Sequence, residues 1–599
     1  MFRSVYYSLL FILTPFILRG QTPKLIKDIN PGSAFSDVGP NYSASINGIL
    51  FFAAQEPSTG IELWRSDGTA DGTYLVKDIA PGTNSGSPSN LIAVSNILYF
   101  TASDGISGGE LWRSDGTAEG TYLVRDIIPG ANGSSPYYLT NVNGTIYFRA
   151  SYNPNDIGQT GLWRSDGTAS GTLLVPGGQA AVRQLTEANG ILYFVAIDLV
   201  AGQAGFELWA INGPTSDPYL VKDINPGPAS SDPSQLTNVN GVLYFLAYDG
   251  VTGIELWRSD GTATGTYQVK DLTPGNNQTS TEKINNLTNV NGTLFFTFDD
   301  YGSAGRELWR SGGTATGTYQ VKDIYPGFMG SYPQNLTNVN GKLFFSATDG
   351  VSGTELWQSD GTNSGTYLVK DIYVGSSGSD LTNFINVNGI LYFNANNGST
   401  GSELWRSDGT GNGTNLVLDI YPGYASAYPT LQTNVNGTLF FFANDGMHGR
   451  EPCALTDLPK PDLTPILYAR PSIAVGTTEF SVVVDAVEIN NQSSSVSFTV
   501  RITKDNRLNL TFPATATSVG NRAVQNSAWT FDNSDSNYYM FTTIQPIKAG
   551  DKLSLGLVGN IIPGSTSGIL TLSSTILSGS IAEAKLINNI DAEKTDYFQ

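Results

Sequence analysis

The 599-residue chain carries 32 basic and 52 acidic residues, which leaves a formal charge of −20, and only 14% of its residues are charged. A surface of that sign repels a phosphate backbone, so nucleic acid is excluded as a partner. The 67 glycines, 29 prolines and 11% aromatic residues suit many short strands joined by tight turns. We therefore predict an all-β protein with more than one domain.

The N-terminus has the pattern of a secretory signal. Arg3 precedes the apolar run 6–18, and small and polar residues follow it, so we predict a signal peptide over 1–20 that is cleaved near Gly20 or Gln21. No later apolar run reaches the roughly 18 to 20 residues of a membrane-spanning helix. We expect a protein without a membrane span that is secreted or held at the cell surface.

One twelve-residue motif recurs along the chain. It reads ELWRSDGTAEGT at 110–121 and returns in eight units, whose tryptophans follow one another at intervals of 46 to 52 residues. A catalytic group is needed once per site, whereas a structural element is needed once per unit, so we interpret the motif as architecture. We expect each tryptophan to fill the space between neighbouring sheets. The tryptophans are Trp64, Trp112, Trp163, Trp209, Trp257, Trp309, Trp357 and Trp405.

Each unit contains the signals of four strands. Two apolar-patterned runs flank an Asn-Gly pair, as in LTNVNGTIYFRA at 139–150, and Asn-Gly favours a two-residue hairpin because both turn positions need a positive φ. A loop and two further strands around an Asp-Gly-Thr turn complete the unit. In that turn an aspartate can accept local backbone N–H groups. These aspartates are Asp67, Asp115, Asp166, Asp260, Asp360 and Asp408.

The length of the unit, about 48 residues, is that of a propeller blade. Residues 24–32 read as the last strand of a unit and residues 431–455 as the first three strands of another. Joining them would avoid exposed sheet edges. We therefore predict a large β-propeller over 22–458 with about nine blades, closed by its N-terminal strand, and we expect a monomer.

The repeated residues resemble those of the bacterial repeat family named for its ELW-x-x-DGT motif, over roughly residues 25 to 455. The resemblance implies a secreted protein with a propeller-like fold. It implies no reaction and no catalytic residues.

The turns divide between two ends of the blades. The Asn-Gly and Asp-Gly-Thr hairpins lie at one end, and the DGxxG loops lie at the other together with the connections between units. The second end varies more, from PGTNSGSPSN at 81–90 to PGNNQTSTEKINN at 274–286, and variable loops on a rigid frame are where binding surfaces are built. The third and fourth units depart most from the repeat. We favour sequence drift there, and we place 150–215 first for mutagenesis.

Beyond the repeats, prolines cluster between residues 455 and 471 and short alternating strands follow. We predict one Ig-like β-sandwich over 459–599 with Trp529 in its core. It is similar to the β-sandwich modules of bacterial cell-surface and adhesion-related proteins, through PDLTP at its start and INNIDAEKTDYF at its end. We expect three acidic residues to be exposed turn and tail residues rather than metal ligands: Asp591, Glu593 and Asp596.

The chain offers few catalytic groups. Its one histidine, His448, and its one cysteine, Cys453, cannot supply a histidine-ligated zinc site or a histidine-dependent triad, and neither a phosphate-binding loop nor an HExxH motif occurs. We interpret His448 as a loop residue. Cys453 is interpreted as a buried small side chain, and no disulfide can form within the chain. We expect no enzyme activity.

The alternative is a carbohydrate-active propeller enzyme, a glycosidase or a lyase. It requires a non-repeated pair of carboxylates, or an arginine cluster with a tyrosine, at the central channel. Five residues break the repeat and could contribute: Arg149, Tyr152, Arg183, Arg306 and Arg450.

The sequence contains no cofactor motif, and Ca²⁺ is the one metal ion for which it offers candidate ligands. Four aspartates precede glycine in DGxxG loops and present hard oxygens. Each loop has few acidic residues, so the interpretation that we favour is a turn-forming role. The four are Asp104, Asp249, Asp349 and Asp445.

The leading hypothesis is a non-catalytic secreted or cell-surface binding or adhesion protein, whose variable propeller loops hold a glycan or protein ligand. A structural spacer of the cell envelope with no specific ligand is the second hypothesis. The sequence names neither the ligand nor the mode of surface attachment.

Overall fold

The computed structural model describes twelve stretches of the chain, and within them it contains strands, turns and one short 3-10 turn, Asn526–Ala528. The predicted signal peptide, 1–20, and the predicted domain boundary at 458–459 lie outside these stretches. No helix in the described part of the chain is long and apolar enough to cross a membrane. The stretches are 23–36, 43–156, 158–178, 181–197, 205–274, 283–300, 304–455, 463–489, 494, 498–548, 550–577 and 590–598.

Between Lys24 and Leu455 the described residues form nine four-stranded antiparallel sheets. In eight of them, sheets 1 to 8, the strands are hydrogen-bonded in chain order, so that each sheet is one unit of the sequence repeat. The ninth, which we call the composite sheet, combines strands from both ends of this region. The all-β prediction and the four strands per unit are confirmed, and the arrangement is consistent with a β-propeller.

The chain begins with β1 (Lys24–Leu25). Sheets 1 and 2 consist of β2 (Ser43–Ile46), β3 (Ile49–Glu56), β4 (Gly60–Ser66) and β5 (Tyr74–Lys77), then β6 (Ser89–Val94), β7 (Ile97–Ser103), β8 (Gly109–Ser114) and β9 (Tyr122–Arg125). Sheets 3 and 4 consist of β10 (Tyr137–Val142), β11 (Thr145–Ser151), β12 (Thr160–Ser165) and β13 (Leu173–Leu174), then β14 (Arg183–Ala188), β15 (Ile191–Ile197), β16 (Phe206–Ile211) and β17 (Tyr219–Lys222).

Sheets 5 and 6 consist of β18 (Ser234–Val239), β19 (Val242–Tyr248), β20 (Ile254–Ser259) and β21 (Tyr267–Lys270), then β22 (Ile284–Val290), β23 (Thr293–Asp299), β24 (Arg306–Ser311) and β25 (Thr318–Lys322). Sheets 7 and 8 consist of β26 (Gln334–Val339), β27 (Lys342–Thr348), β28 (Thr354–Ser359) and β29 (Tyr367–Lys370), then β30 (Thr382–Val387), β31 (Ile390–Asn396), β32 (Ser402–Ser407) and β33 (Asn415–Leu418). The composite sheet contains β34 (Thr430–Val435), β35 (Thr438–Asn444) and β36 (Arg450–Leu455).

The composite sheet takes its fourth strand from the N-terminal segment. Its strand order is β1-β36-β35-β34, with Lys24 opposite Ala454 and Leu25 opposite Cys453. This is the pairing predicted from the two incomplete units at the ends of the repeat region.

The Asn-Gly hairpins adopt the backbone that their sequence requires. Asn143 and Gly144 have φ angles of 50° and 89°, the left-handed conformation that both central residues of a type I′ turn need. The second unit has no Asn-Gly pair, and there Ser95 takes a φ of 54°. The turn geometry is thus kept where the preferred residues are absent.

The tryptophans pack between neighbouring sheets. Trp112 of sheet 2 lies in one hydrophobic cluster with Phe51 and Leu63 of sheet 1, and Trp64 of sheet 1 lies in a cluster with Phe442 of the composite sheet. Large aromatic side chains contribute strongly to such interfaces because of the apolar area that they bury. The corresponding positions in sheets 3 to 8 are Trp163, Trp209, Trp257, Trp309, Trp357 and Trp405.

In seven of the nine sheets, a cation at or just after the fourth strand also reaches the next sheet. Lys77 of sheet 1 donates a hydrogen bond from Nζ to the carbonyl oxygen of Thr121, in the Asp-Gly-Thr turn of sheet 2, at 2.6 Å. Lys27, just after β1, donates to the carbonyl of Thr73 in sheet 1 at 2.7 Å. The other donor and acceptor pairs are Arg125 and Thr172, Lys222 and Thr266, Lys270 and Thr318, Lys322 and Thr366, and Lys370 and Thr414.

Where this contact is missing, the residues on both sides have changed. At the junction of sheets 3 and 4, Pro176 takes the position of the lysine and Pro218 that of the threonine. At the junction of sheet 8 and the composite sheet, Leu418 takes the position of the lysine, and no Asp-Gly-Thr turn follows Leu455 in the sequence. At both junctions the residue that replaces the lysine has no side-chain N–H to donate.

The first strands of successive sheets contact one another. The series runs from β2 and β6 through to β30 and β34, and β2 also contacts β34. At that last contact, Ser43 Oγ and Thr433 Oγ1 are 3.1 Å apart. The composite sheet therefore contacts both sheet 8 and sheet 1.

The C-terminal part of the chain forms two larger sheets around one core. Their strand orders are β37-β39-β46-β41 and β38-β48-β47-β40-β45-β44, beside the hairpin β42-β43. Trp529 lies in this core, with its ring edge-on to Phe498 at a centroid distance of 5.5 Å. The strands are β37 (Leu463–Arg470), β38 (Ile473–Val475), β39 (Thr478–Glu488), β40 (Phe498–Thr503), β41 (Leu508–Thr511), β42 (Ser518–Val519), β43 (Arg522–Ala523), β44 (Thr530–Asp532), β45 (Tyr538–Thr543), β46 (Lys552–Ile561), β47 (Gly568–Leu577) and β48 (Ile590–Phe598).

The expectation that Asp591, Glu593 and Asp596 lie in a turn and tail is wrong, whereas the expected exposure is found for Asp596. All three lie on β48, which pairs with β47 along its whole length. Asp591 accepts the backbone N–H of Leu467 at 2.7 Å, and Glu593 lies 3.7 Å from the guanidinium of Arg470. The strand forms because partners far away in the sequence supply its hydrogen bonds.

The pairing of β1 with β36 can be tested by a cross-link. Ile26 donates its backbone N–H to Pro452, so Leu25 and Cys453 form a non-hydrogen-bonded pair, in which the Cα atoms are about 4.5 Å apart and within reach of a disulfide. We expect the Leu25→Cys variant to form an intramolecular disulfide with Cys453 on mild oxidation, detected by mass spectrometry of a non-reduced digest.

The control for the cross-link is Lys24→Cys, whose cross-strand partner is Ala454. It should not form an intramolecular bridge. Free thiols or intermolecular dimers from Leu25→Cys under the same conditions would contradict the pairing.

Candidate functional site

The two ends of the sheets differ in how far their side chains repeat. We call the end with the Asn-Gly and Asp-Gly-Thr turns the hairpin end. In its turns Asp115 Oδ1 accepts the backbone N–H of Thr117 at 2.9 Å and its hydroxyl at 2.7 Å, and these bonds, the hydroxyl foremost, lower the pKa of Asp115. The same contacts are made by Asp67, Asp166, Asp260, Asp360 and Asp408.

Arginine–tyrosine stacks recur at the hairpin end. The guanidinium of Arg113 lies 5.3 Å from the ring centroid of Tyr122, within the range of a cation–π contact. This end therefore presents one pattern of side chains many times over. The corresponding pairs are Arg65 and Tyr74, Arg258 and Tyr267, and Arg310 and Tyr319.

The opposite end, which we call the connection end, is organised by the glutamate of the repeated motif. Glu62 is fully buried, and its carboxylate accepts the backbone N–H groups of Ile79 at 2.9 Å, Ala80 at 3.2 Å and Gly86 at 2.7 Å. These three residues belong to the connection from sheet 1 to sheet 2. A single carboxylate thus holds the whole connection against its own sheet.

The same arrangement recurs, and we call these residues the latch glutamates. In the composite sheet Glu451 accepts the N–H groups of Ile29 and Asn30, so the segment after β1 is held as a connection between sheets is held elsewhere. Burial raises the pKa of seven latch glutamates to about 7 and also raises that of Glu110, against the opposing effect of the N–H donors. The latch glutamates are Glu62, Glu110, Glu207, Glu255, Glu307, Glu355, Glu403 and Glu451.

The third unit shows why its sequence departs from the repeat. Gly161 stands where the other units have the glutamate, and the connection that a glutamate would hold is replaced by a tight turn in which Gly178 donates to Val175 and accepts from Leu162. A Cβ atom at Gly161 would lie 2.8 Å from the Gly178 carbonyl oxygen. The glutamate and the connection that it would hold are absent together from the third unit.

The aspartates considered for Ca²⁺ lie in the DGxxG loops at the connection end. Asp104 Oδ1 accepts the backbone N–H groups of Ile106 at 2.8 Å and Ser107 at 2.7 Å, the turn-forming contacts of an aspartate. Among the described residues no three His, Cys, Asp or Glu side chains are grouped as metal ligands would be. The same contacts are made by Asp249, Asp349 and Asp445.

The two single-copy residues lie in the composite sheet region. His448 Nδ1 is 2.7 Å from Asp445 Oδ2, a contact that raises the pKa of His448. Cys453 is buried as a free thiol, and burial raises its pKa. A buried thiol with a raised pKa is a poor nucleophile.

The residues that break the repeat are spread over sheets 3, 4, 6 and the composite sheet. Arg149 Nε donates to Thr160 Oγ1 at 3.0 Å, while Tyr152 packs in the hydrophobic cluster of sheets 2 and 3. Each remaining arginine has a neighbour of its own: Arg183 lies over Phe206 at 3.9 Å, Arg306 is 3.9 Å from Asp299, and Arg450 lies over Phe35 at 4.6 Å.

The first strands of the nine sheets carry one acidic residue, Glu187 of β14. Its Oε1 accepts the backbone N–H of Gly190 in the adjacent hairpin at 2.7 Å. A glycosidase needs two carboxylates facing each other across the bond that it breaks. The described first strands do not present such a pair.

The connection end exposes large apolar side chains on three consecutive connections, from sheet 6 to the composite sheet. Tyr424 is 85% exposed, Val374 82% and Phe328 76%. The first connection has Thr83 where Phe328 and Tyr424 stand, and Ser87 where Tyr332 and Tyr428 stand. We call this set the apolar sector; it consists of Phe328, Met329, Tyr332, Val374, Tyr424 and Tyr428.

A cleft of about 360 Å³ opens beside the apolar sector, between sheet 8 and the composite sheet. Pockets of this size accommodate small ligands. Most of the lining residues are of polar type, and one, Tyr428, is aromatic. The lining residues are Asp380, Thr382, Asn383, Asn394, Asn396, Ser402, Ser426, Tyr428, Pro429, Thr430 and Arg450.

Sequence reasoning identified Arg450 as a break in the repeat but missed the other residues of the cleft. A signal for them was present, because Asn394 and Asn396 stand where the second unit has Thr101 and Ser103. The role of the latch glutamates was also missed. Their signal was the joint absence of the glutamate and the connection from the third unit.

No family model and no curated protein matches this chain. Among solved structures, it is similar to a puromycin hydrolase at 15% identity and a TM-score of 0.31, over 60% of this chain and 58% of that one, so it spans less than two thirds of that enzyme. It is also similar to a PL25 ulvan lyase at 12% identity and a TM-score of 0.27, over 59% of this chain and 96% of that one. A CARDB domain from Pyrococcus furiosus matches at 14% identity and a TM-score of 0.16, over 23% of this chain and 89% of that one.

The latch glutamates predict a pH dependence of stability. Their folded pKa of about 7 lies above the ordinary value of 4.5, so unfolding releases protons between these two values and the free energy of unfolding falls as the pH rises through that window. Below pH 4.5 this contribution is fully present, and above pH 7 it is lost. We expect the urea midpoint to be higher at pH 5 than at pH 8.

One substitution should reduce this slope. Glu355→Gln keeps an acceptor oxygen but cannot ionise, so fewer protons are released on unfolding. The matched control is Glu119→Gln, at an exposed glutamate of a hairpin turn, which should leave the slope unchanged. Equal slopes for wild type and Glu355→Gln would show that the buried carboxyl does not titrate in this window.

Proposed function

We propose that this chain is a non-catalytic secreted or cell-surface binding protein, whose ligand sits on the connection end of a closed nine-bladed propeller. The observation that carries the proposal is the apolar sector, a set of exposed aromatic and aliphatic side chains on three neighbouring connections. The DGxxG loops of the same end add the exposed apolar residues Ile106, Val251, Val351 and Met447. Contiguous exposed apolar side chains on a soluble protein mark a binding surface.

Closure of the ring is supported by three contacts of the composite sheet. Strand β1 pairs with β36, β2 contacts β34, and Lys27 reaches the Thr73 carbonyl of sheet 1. Each of these has a counterpart at other junctions. A closed ring gives the connections a rigid frame without a disulfide, which suits the presentation of a binding surface.

The non-catalytic character is supported by how the candidate groups are used. The repeated acids accept backbone N–H groups at turns and connections, and Glu187 is the one acidic residue of the described first strands. The repeat-breaking arginines lie in four different sheets. We extend the proposal to an Ig-like module in the C-terminal region and to a monomeric protein that takes an extracellular glycan or protein ligand.

The binding surface can be tested by exchange between units. Phe328→Thr, Tyr332→Ser and Tyr424→Thr place in the apolar sector the residues that the first connection has at the same positions, Thr83 and Ser87. We expect the triple variant to fold normally and to lose at least about ten-fold in affinity, since buried aromatic anchors dominate interfaces. The measurement is binding to a glycan array and to surface extracts.

The matched control removes aromatic residues from the hairpin end. Tyr122→Asn and Tyr319→Asn introduce the residue that the eighth unit has at this position, Asn415, and should leave binding intact. Unchanged binding by the sector variant would refute the location of the surface. Hydrolysis of a polysaccharide by the purified protein would refute the non-catalytic assignment.

A further inference from the structure

We infer that the cleft between sheet 8 and the composite sheet is a binding site for a neutral saccharide, taking one or two pyranose rings through their hydroxyl groups. This inference rests on the proposed binding function and names its ligand class. It is carried by the side chains that line the cleft, by how they are held, and by the departure of Asn394 from the repeat.

The floor of the cleft holds a fixed amide. Asn394 is 4% exposed; its Nδ2 donates to the Pro429 carbonyl oxygen at 2.7 Å, and its Oδ1 accepts from Gln432 Nε2 at 2.6 Å. Asn383 Nδ2 donates to the same carbonyl at 2.9 Å. The amide of Asn394 is thereby locked in one orientation before any ligand arrives, which lowers the entropy cost of binding.

Locked amides suit hydroxyl groups as partners. An asparagine amide has two N–H donors and two acceptor lone pairs, and the two bonds above use one of each at Asn394. One donor and one acceptor of the amide remain, and a sugar hydroxyl both donates and accepts.

The charges of the cleft favour a neutral ligand. Asp380 and Arg450 line it together, and their formal charges cancel. A phosphate or sulfate would meet the carboxylate, and a metal ion would meet the guanidinium, whereas a polyhydroxy ring can bond to both groups without a net charge of its own. The guanidinium of Arg450 is held over the Phe35 ring at 4.6 Å.

An aromatic ring stands at the rim. Tyr428 is 59% exposed and lines the cleft, so its face can cover the apolar side of a pyranose while the amides bond to the hydroxyls. It occupies a left-handed position with a φ of 46°, where the third unit has Ser135 with a φ of 50°. The backbone therefore does not require a tyrosine there.

Asn394 departs from the repeat, because no other unit has an asparagine at its position. Thr101 of the second unit corresponds to Asn394, and its Oγ1 donates to the Pro136 carbonyl at 2.8 Å, the bond that Asn394 makes to Pro429. Threonine is thus sufficient for the structural contact. The amide of Asn394 offers one N–H and one lone pair beyond its bonds to Pro429 and Gln432.

Residues at corresponding positions of other units suggest substitutions that should preserve the structure. Asn394→Thr retains a donor to Pro429 and removes the amide, and Asp380→Ser removes the carboxylate at a left-handed position that Ser135 also adopts. The control is Asp232→Ser, which removes an aspartate from the corresponding position of the fifth unit, outside the cleft. Thermal unfolding should show that all three variants fold as the wild type does.

The probes are free glucose, galactose, mannose, fucose and N-acetylglucosamine and their common disaccharides, measured with the full chain by saturation-transfer NMR. We expect at least one neutral sugar to bind the wild type with a Kd on the order of 1 mM, the range of a small polar ligand. Its signal should fall at least about ten-fold in Asn394→Thr and in Asp380→Ser, and stay unchanged in Asp232→Ser.

The outcomes separate this inference from the proposed function. The saccharide site is refuted if none of the sugars binds, or if a sugar binds equally to wild type and Asn394→Thr. In either case, loss of surface-extract binding in the apolar-sector variant would still support the binding function. Preferential binding of inorganic phosphate or Ca²⁺ to the cleft would also refute it. The opposite result is sugar binding that depends on the cleft residues, together with unchanged surface-extract binding in the apolar-sector variant. It would support the saccharide site and refute the apolar sector as the binding surface.

Discussion

One buried carboxylate per unit fixes the connection that leaves that unit, and the shape of the connection end depends on it. Glu62 accepts two or three backbone N–H groups that the connection could not otherwise satisfy, and an unsatisfied buried N–H costs roughly 1 to 3 kcal/mol. Glu451 does the same for the N-terminal segment. The third unit, which has Gly161 instead, has no such connection to hold.

Because the connections are fixed in this way, side chains that are not required for the packing of the repeated sheets can vary. At the hairpin end the aspartates, the Arg–Tyr stacks and the lysines that reach the next sheet repeat from unit to unit, because each is required for local packing. At the connection end three neighbouring connections carry exposed aromatic or aliphatic residues, and one cleft carries Asn394 and Asn396 where the second unit has threonine and serine. Departure from a structural repeat therefore marks the residues that are available for binding.

Features that depend on neighbours in the sequence were predictable. Asn143-Gly144 specifies its own turn because both residues tolerate a positive φ, and Asp115 accepts N–H groups two residues away. The partners of Glu62 lie 17 to 24 residues further on, so nothing local indicates them. Asp591 was misjudged for the same reason: the strand that contains it is defined by pairing with β47.

The sequence by itself determined the unit, its four strands, the number of copies and the incomplete units at the two ends, since these follow from short-range periodicity and turn chemistry. Only the tertiary structure decided which residues meet across sheets: the latch glutamates with their connections, the lysines with the next threonine carbonyl, and Asp380, Asn394 and Arg450 around one cleft. The physical reason is that strand and turn preferences act over a few residues, whereas a site is assembled by packing residues that are distant in the chain.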